Sequence, residues 1–157
     1  MQKYPFIMRV FHWVLVMMFA AQFIFHDAIS DAYDQIQRGV EVAFNPLVAG
    51  HVFGGLAILV LTLIRFGIRR KSVLPAYPEQ GSALTKRASE IVHYGTYVLG
   101  IMLPVSGAVA WFGGVKAAAD GHEMLKAVLL ALVALHVAGA LFHLVVHKNN
   151  IFKRMWF

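Results

Sequence analysis

Eight histidines stand in a chain of 157 residues that is 59% apolar and only 14% charged. His122 and His136 lie fourteen residues apart in one long apolar stretch. That is close to four helical turns, so both imidazoles project from nearly the same face, about 21 Å apart along the axis. Histidines within a membrane are costly and rarely idle. His12 and His51, each on another apolar segment, can oppose them. Imidazoles facing one another across apolar space at two heights would clamp two haems, each iron between two axial nitrogens. The chain has no cysteine. That excludes disulfides, iron–sulfur clusters, thiolate-ligated haem and covalent c-type attachment, and leaves His, Met or carboxylate as metal ligands.

Such residues need a scaffold that spans a bilayer. Mean hydropathy is +0.66, too high for an ordinary soluble domain. Four apolar stretches reach the ~20 residues a spanning helix requires, at approximately 6–25, 47–68, 88–112 and 122–146. None alternates with period two over the length of a barrel strand, so the reading is all-α: a transmembrane four-helix bundle, one domain over 1–157. Pro5 and Pro46 suit the starts of the first and second helices, Pro104 falls inside the third and is expected to bend it, and Gly113-Gly114 ends it. The connections are expected at 28–46, 69–87 and 113–121. The first apolar run reads as a span rather than a cleaved signal peptide. It is longer than a typical signal core, is interrupted by His12, and lacks a small-x-small site.

Charge orients the bundle. The net charge of +6 is not that of a nucleic-acid binder, because the basic residues sit at the ends of apolar segments. Lys3, Arg9, Arg69, Arg70, Lys71, Lys86, Arg87, Lys148, Lys153 and Arg154 fall on the N-terminus, middle loop and C-terminal tail. The two opposite loops hold Arg38 and Lys116 against Asp27, Asp31, Asp34, Glu41 and Asp120. The positive-inside rule then puts both termini and the middle loop in the cytoplasm. Trp13, Trp111 and Trp156 fall near the expected interfaces.

Orientation converts position into depth. His12 and His136 share the inner level, and His51 and His122 the outer level, giving two bis-histidine haem b (iron protoporphyrin IX) sites. Gly50, Gly54 and Gly55 around His51, and Ala138, Gly139 and Ala140 after His136, would leave room for the discs. His26 is a rival to His51, being fourteen residues from His12 on the first helix. It sits beside Asp27 at the water interface, where a solvated histidine is unremarkable, and His51 is favoured. His93 and His143 suit a quinone headgroup or proton-transfer site beside the inner haem, while His147 reads more simply as interfacial. Arg65, fourteen residues after His51, and Arg9, three before His12, are candidates to pair with inner haem propionates, and Lys126 with an outer one. The bland alternatives are imidazoles that merely join helices and arginines that snorkel to the surface.

The pattern resembles the bacterial cytochrome b561 family of four-helix dihaem membrane proteins, related to the b-type subunits of hydrogenases. The resemblance rests on Arg9-Val-Phe-His12-Trp13, on His51-Val-Phe-Gly-Gly55 followed by Ile58-Leu-Val-Leu61 and Arg65, on His93 with Leu103-Pro104-Val-Ser-Gly107, and on His122-Glu123, Leu135-His136 and His143. It covers almost the whole chain. It implies ligation of an inner haem by His12 and His136 and of an outer haem by His51 and His122. It also implies a quinone site near His143 and the basic middle loop. Some members oxidise periplasmic superoxide and reduce ubiquinone; others pass electrons between quinone and a partner protein.

The expected function is electron transfer across the bacterial inner (cytoplasmic) membrane, through two b haems, between an outer-face redox protein and ubiquinone or menaquinone. This chain's loop between the first two spans is comparatively long and acidic. Such a face would repel superoxide and suit a basic partner such as a soluble c-type cytochrome. Superoxide oxidase, a haem-bearing anchor for a peripheral redox enzyme, and a haem-free protein that binds or moves metal are the rival readings.

Overall fold

In the computed structural model, which describes residues 2–77 and 82–157, every regular element among the described residues is helical. The order is α1 (Phe6–Ile24), α2 (His26–Gln37), α3 (Pro46–Lys71), α4 (Ala83–Gly113) and α5 (Lys116–Val145), followed by a short 3₁₀ turn, Ile151–Arg154. Four of these, all but α2, are long and apolar enough to cross a membrane. Their outward surfaces are apolar too: Phe6, Met17, Ile24, Phe53, Leu130 and Leu135 are exposed. Such a surface is at home against lipid, where helices satisfy every backbone group internally.

The elements differ from the expected spans in three places. The connection expected at 28–46 contains α2, whose Ile29, Ala32, Tyr33 and Ile36 recur at helical spacing on one face. Only Gly39–Asn45 remains irregular between α2 and α3, apart from Arg38, the α2 C-cap. Second, α4 starts at Ala83 rather than 88, because Ser82 caps it with its side chain on the Thr85 N–H at 3.2 Å. Third, α5 starts at Lys116 rather than 122. Lys116-Ala-Ala-Ala-Asp120 is a good helix-forming run closed by an i,i+4 ion pair at 2.8 Å. The turn between α4 and α5 is therefore only Gly114 and Val115, and Gly114 takes the left-handed conformation (φ 65°) that lets the chain reverse. Residues 78–81 of the expected middle connection lie outside the described residues.

α1 packs on α3, α3 on α4, and α4 on α5, while α2 lies against α3. Gly100 brings α4 close to α3: a Cβ there would stand 3.0 Å from Thr62. At mid-height Leu99, Leu103 and Leu129 form a buried apolar cluster, joined by Phe19 and Phe23 from α1 and by Leu125 and Leu132. This waist separates the bundle's two ends. One end gathers both termini and the segment after α3. The Tyr4 N–H donates to the Arg154 carbonyl at 3.1 Å, Trp13 Nε1 to the Met155 carbonyl at 2.9 Å, and Arg154 Nη1 to the Ala76 carbonyl at 2.6 Å. The other end carries α2, the start of α3 and the α4–α5 turn.

Candidate functional site

Above the waist, residues of all five helices line a partly open cavity of about 410 Å³, His51 and His122 among them. That is the size of a pocket for a small organic ligand. His51 enters from α3, six residues into the helix, and His122 from α5, seven residues into it. The starting expectation that His122 opens its helix is thus corrected: the early start of α5 sets it nearly two turns in, facing the body of α4.

The two imidazoles are held differently. His122 Nδ1 lies 2.9 Å from the Leu103 carbonyl oxygen and 3.2 Å from Ser106 Oγ. A carbonyl only accepts, so Nδ1 carries the hydrogen and Nε2 keeps its lone pair. That is the tautomer a metal ligand needs. His51 Nδ1 is buried and finds no hydrogen-bond partner among the described residues.

His26 lines the same cavity, but α5 engages it. Its Nε2 lies 2.9 Å from Lys126 Nζ and 3.2 Å from Glu123 Oε1, and Lys126 itself meets Glu123 Oε2 at 2.5 Å. Whether Nε2 accepts from the ammonium or donates to the carboxylate, it has no lone pair left for a metal. Lys126 is likewise committed to this cluster. Of the small residues expected to make room around His51, Gly55 lines the cavity, whereas Gly54 faces the Gln22 side chain on α1.

Below the waist His12 and His136 face each other with ring centroids 6.3 Å apart. Two metal–imidazole bonds of about 2 Å each would set the coordinating nitrogens about 4 Å apart and the ring centres about 6 Å apart. The pair fits a single iron between the rings. His93 is a third ring at this level, 5.2 Å from His136, with Nδ1 3.3 Å from Ser89 Oγ. His143, expected to share a site with His93, keeps other company. Its Nε2 lies 3.3 Å from the Tyr77 hydroxyl, and its ring meets Phe142 and His147.

Arg65 reaches the same level with its guanidinium 5.1 Å above the Tyr97 ring, and its Nε is buried without a partner among the described residues. A half-buried guanidinium with no carboxylate paired to it among the described residues would suit an anion such as a haem propionate. Arg9 Nε is likewise buried without a partner among the described residues, while the rest of its guanidinium meets the C-terminal tail. Its Nη1 donates to the Trp156 carbonyl at 2.8 Å, and its guanidinium stands beside the rings of Phe6 and Phe157. It fastens the tail to α1.

One imidazole pair thus stands at a spacing that would accommodate an iron, and a second pair lines a cavity where His122 keeps a ligand-ready nitrogen. Sequence reasoning passed over Tyr97, Tyr77 and the Leu103–Ser106 partners of His122. Tyr97 was legible as the residue one turn beyond His93 on α4. Tyr77 and the Leu103 carbonyl carry no sequence signal of their own.

Helices that cross a membrane and pair their histidines across apolar space define a b-type membrane cytochrome. The family model for prokaryotic cytochrome b561 matches residues 3–157, and the chain belongs to that family. It is also 33% identical over 147 residues to a protein named cytochrome b562 from Cereibacter sphaeroides, covering 92% of this chain and 89% of that protein. It is thus a multi-pass bacterial membrane protein of electron transfer, with haem b as its cofactor.

Proposed function

We propose that the chain carries electrons across the inner membrane through two b haems in series. His12 and His136 hold one at the end bearing the termini, and His51 and His122 hold the other beside α2. The observation that carries this reading is the use of α5. It presents a histidine to each level, and each meets a counterpart: His12 at 6.3 Å on one side, and His51 across a shared cavity on the other. Haem iron, when bound, alternates between ferric and ferrous states and so passes one electron at a time. With two imidazoles holding each iron, no position would remain for oxygen.

The chain's own residues do the rest. The apolar waist excludes water between the levels, so electrons pass where protons do not. Arg65 supplies positive charge at the inner level, favouring the reduced state there. The basic end faces the cytoplasm by the positive-inside rule. At that end His143 and the Tyr77 hydroxyl form a polar pair suited to a quinone carbonyl, ubiquinone or menaquinone, with His93 placed beside His136 as a proton carrier. At the opposite end α2 and its surroundings display Asp27, Asp31, Asp34 and Asp120. That charge favours a basic redox protein, such as a soluble c-type cytochrome, over superoxide as the outer partner.

A reduced-minus-oxidised spectrum with haem quantified per chain tests the core of this reading. Two haems per chain are expected, and a value of one or zero overturns it. Stopped-flow mixing of the quinone-loaded protein with superoxide, and separately with a reduced c-type cytochrome, then decides the outer partner. Faster electron entry from the cytochrome is expected. Entry from superoxide alone sinks the assignment, and co-purification of a peripheral enzyme points to an anchor subunit.

A further inference from the structure

The surroundings of His122 contain a device that the ligand reading alone does not call for. Three residues of α4 converge behind this imidazole. The Leu103 carbonyl receives the Nδ1 hydrogen at 2.9 Å. The Ser106 hydroxyl donates to the same carbonyl at 2.9 Å and turns its oxygen toward Nδ1 at 3.2 Å. Gly107 presents bare backbone: a Cβ there would stand 3.1 Å from His122 Cε1 and 3.2 Å from Nδ1. The absence of a side chain at position 107 lets the ring lie a few tenths of an ångström closer to α4 than an alanine would allow. One residue below Ser106's turn, Pro104 lacks the N–H that would have bonded the Gly100 carbonyl, so this stretch of α4 is one hydrogen bond short.

Resting on the proposal that His122 ligates the outer haem, we infer that Leu103, Ser106 and Gly107 act as a positioning element that sets the reduction potential of the outer centre through His122. The chemistry runs through Nδ1. A hydrogen bond from Nδ1–H to a carbonyl raises the electron-donating power of Nε2, which favours the oxidised metal and lowers the potential. Ser106 moderates the effect, because its hydroxyl competes for the same carbonyl oxygen at 2.9 Å, closer than the 3.2 Å at which its own oxygen supports Nδ1. The opposing ligand has no counterpart: His51 Nδ1 is buried without a partner among the described residues. The push on the outer metal is therefore one-sided and comes from α4. The two neighbouring residues thus act in opposite senses. Gly107 permits the bond and Ser106 tempers it.

The test uses the full-length haem-loaded protein in detergent, with the outer centre identified as the one lost in His51→Ala. Gly107→Ala shifts the imidazole by a few tenths of an ångström, weakens its bond to the Leu103 carbonyl, and is expected to raise the outer midpoint potential. Ser106→Ala adds no bulk, frees the carbonyl for Nδ1, and is expected to lower it. Shifts of up to about tenfold in the oxidised-to-reduced ratio at fixed ambient potential are expected, about 59 mV for a one-electron couple. The inner midpoint should stay in place. The low-spin ferric electron-spin resonance signal of the outer centre should move in both variants while that of the inner centre does not. If Gly107→Ala is isolated without its outer haem, Ser106→Ala decides alone. No shift, an upward shift in Ser106→Ala, or an equal shift of both centres overturns the inference. Loss of neither haem in His51→Ala instead overturns the ligand reading beneath it, so the two failures are told apart.

Discussion

At the scale of single residues, His26 and His51 face one cavity, and what separates them is the company each keeps. His26 Nε2 is engaged by Lys126 and Glu123, whereas His51 Nδ1 is buried without a hydrogen-bond partner among the described residues. His51→Ala and His122→Ala are each expected to halve the haem-to-chain ratio, measured by pyridine haemochrome, and His26→Ala to leave it at two. Loss of a haem in His26→Ala with retention in His51→Ala would reverse the assignment. Arg65→Leu should retain both haems and lower the inner midpoint, since removing a nearby positive charge destabilises the more electron-rich state. On the order of 1–2 kcal/mol is expected, tens of millivolts in a potentiometric titration. An unchanged inner midpoint would show that Arg65 lies too far from the iron to matter. Arg9→Gln, by contrast, should leave the potentials alone and speed proteolysis of the C-terminal tail, because its guanidinium holds Trp156. The four proposed ligands can be named from the sequence because spacing and orientation alone assign depth. The contacts of Arg9 and Lys126 cannot, since both reach partners far away in the chain: the tail for one, His26 for the other.

At the scale of elements, the transmembrane spans announce themselves and the short helix does not. Hydropathy finds α1, α3, α4 and α5 because lipid imposes length and apolarity together. α2 is polar overall, and its signal is the spacing of Ile29, Ala32, Tyr33 and Ile36, visible only when amphipathic period is sought in place of greasiness. The start of α5 was misplaced because Gly121 and the charged Lys116 and Asp120 look like loop, though alanines between them favour helix. The tight α4–α5 turn rests on Gly114 in the left-handed region. Gly114→Ala should lower stability by about 1 kcal/mol, read as earlier thermal loss of the Soret band in detergent. No change would mean the turn relaxes into another form. Because α5 holds His122 against α4 just beyond this turn, the outer haem should be released before the inner one on heating.

For the molecule as a whole, the two chain ends meet at one end of the bundle, where Tyr4 and Arg154 share a backbone hydrogen bond. With the basic end inside, a fluorescent protein fused to the C-terminus should mature and glow, and alkaline phosphatase fused there should be inactive. The reverse pattern would turn the proposed direction of the wiring around. The partition of histidines among helices has a further consequence, for biogenesis. α5 is the last span to be synthesised, and it brings one member to each imidazole pair. A nascent chain with three spans inserted owns His12 and His51 but can close neither clamp. On the proposed pairing, metalloporphyrin capture at both heights would await insertion of α5, and a chain stopped before residue 116 should emerge colourless.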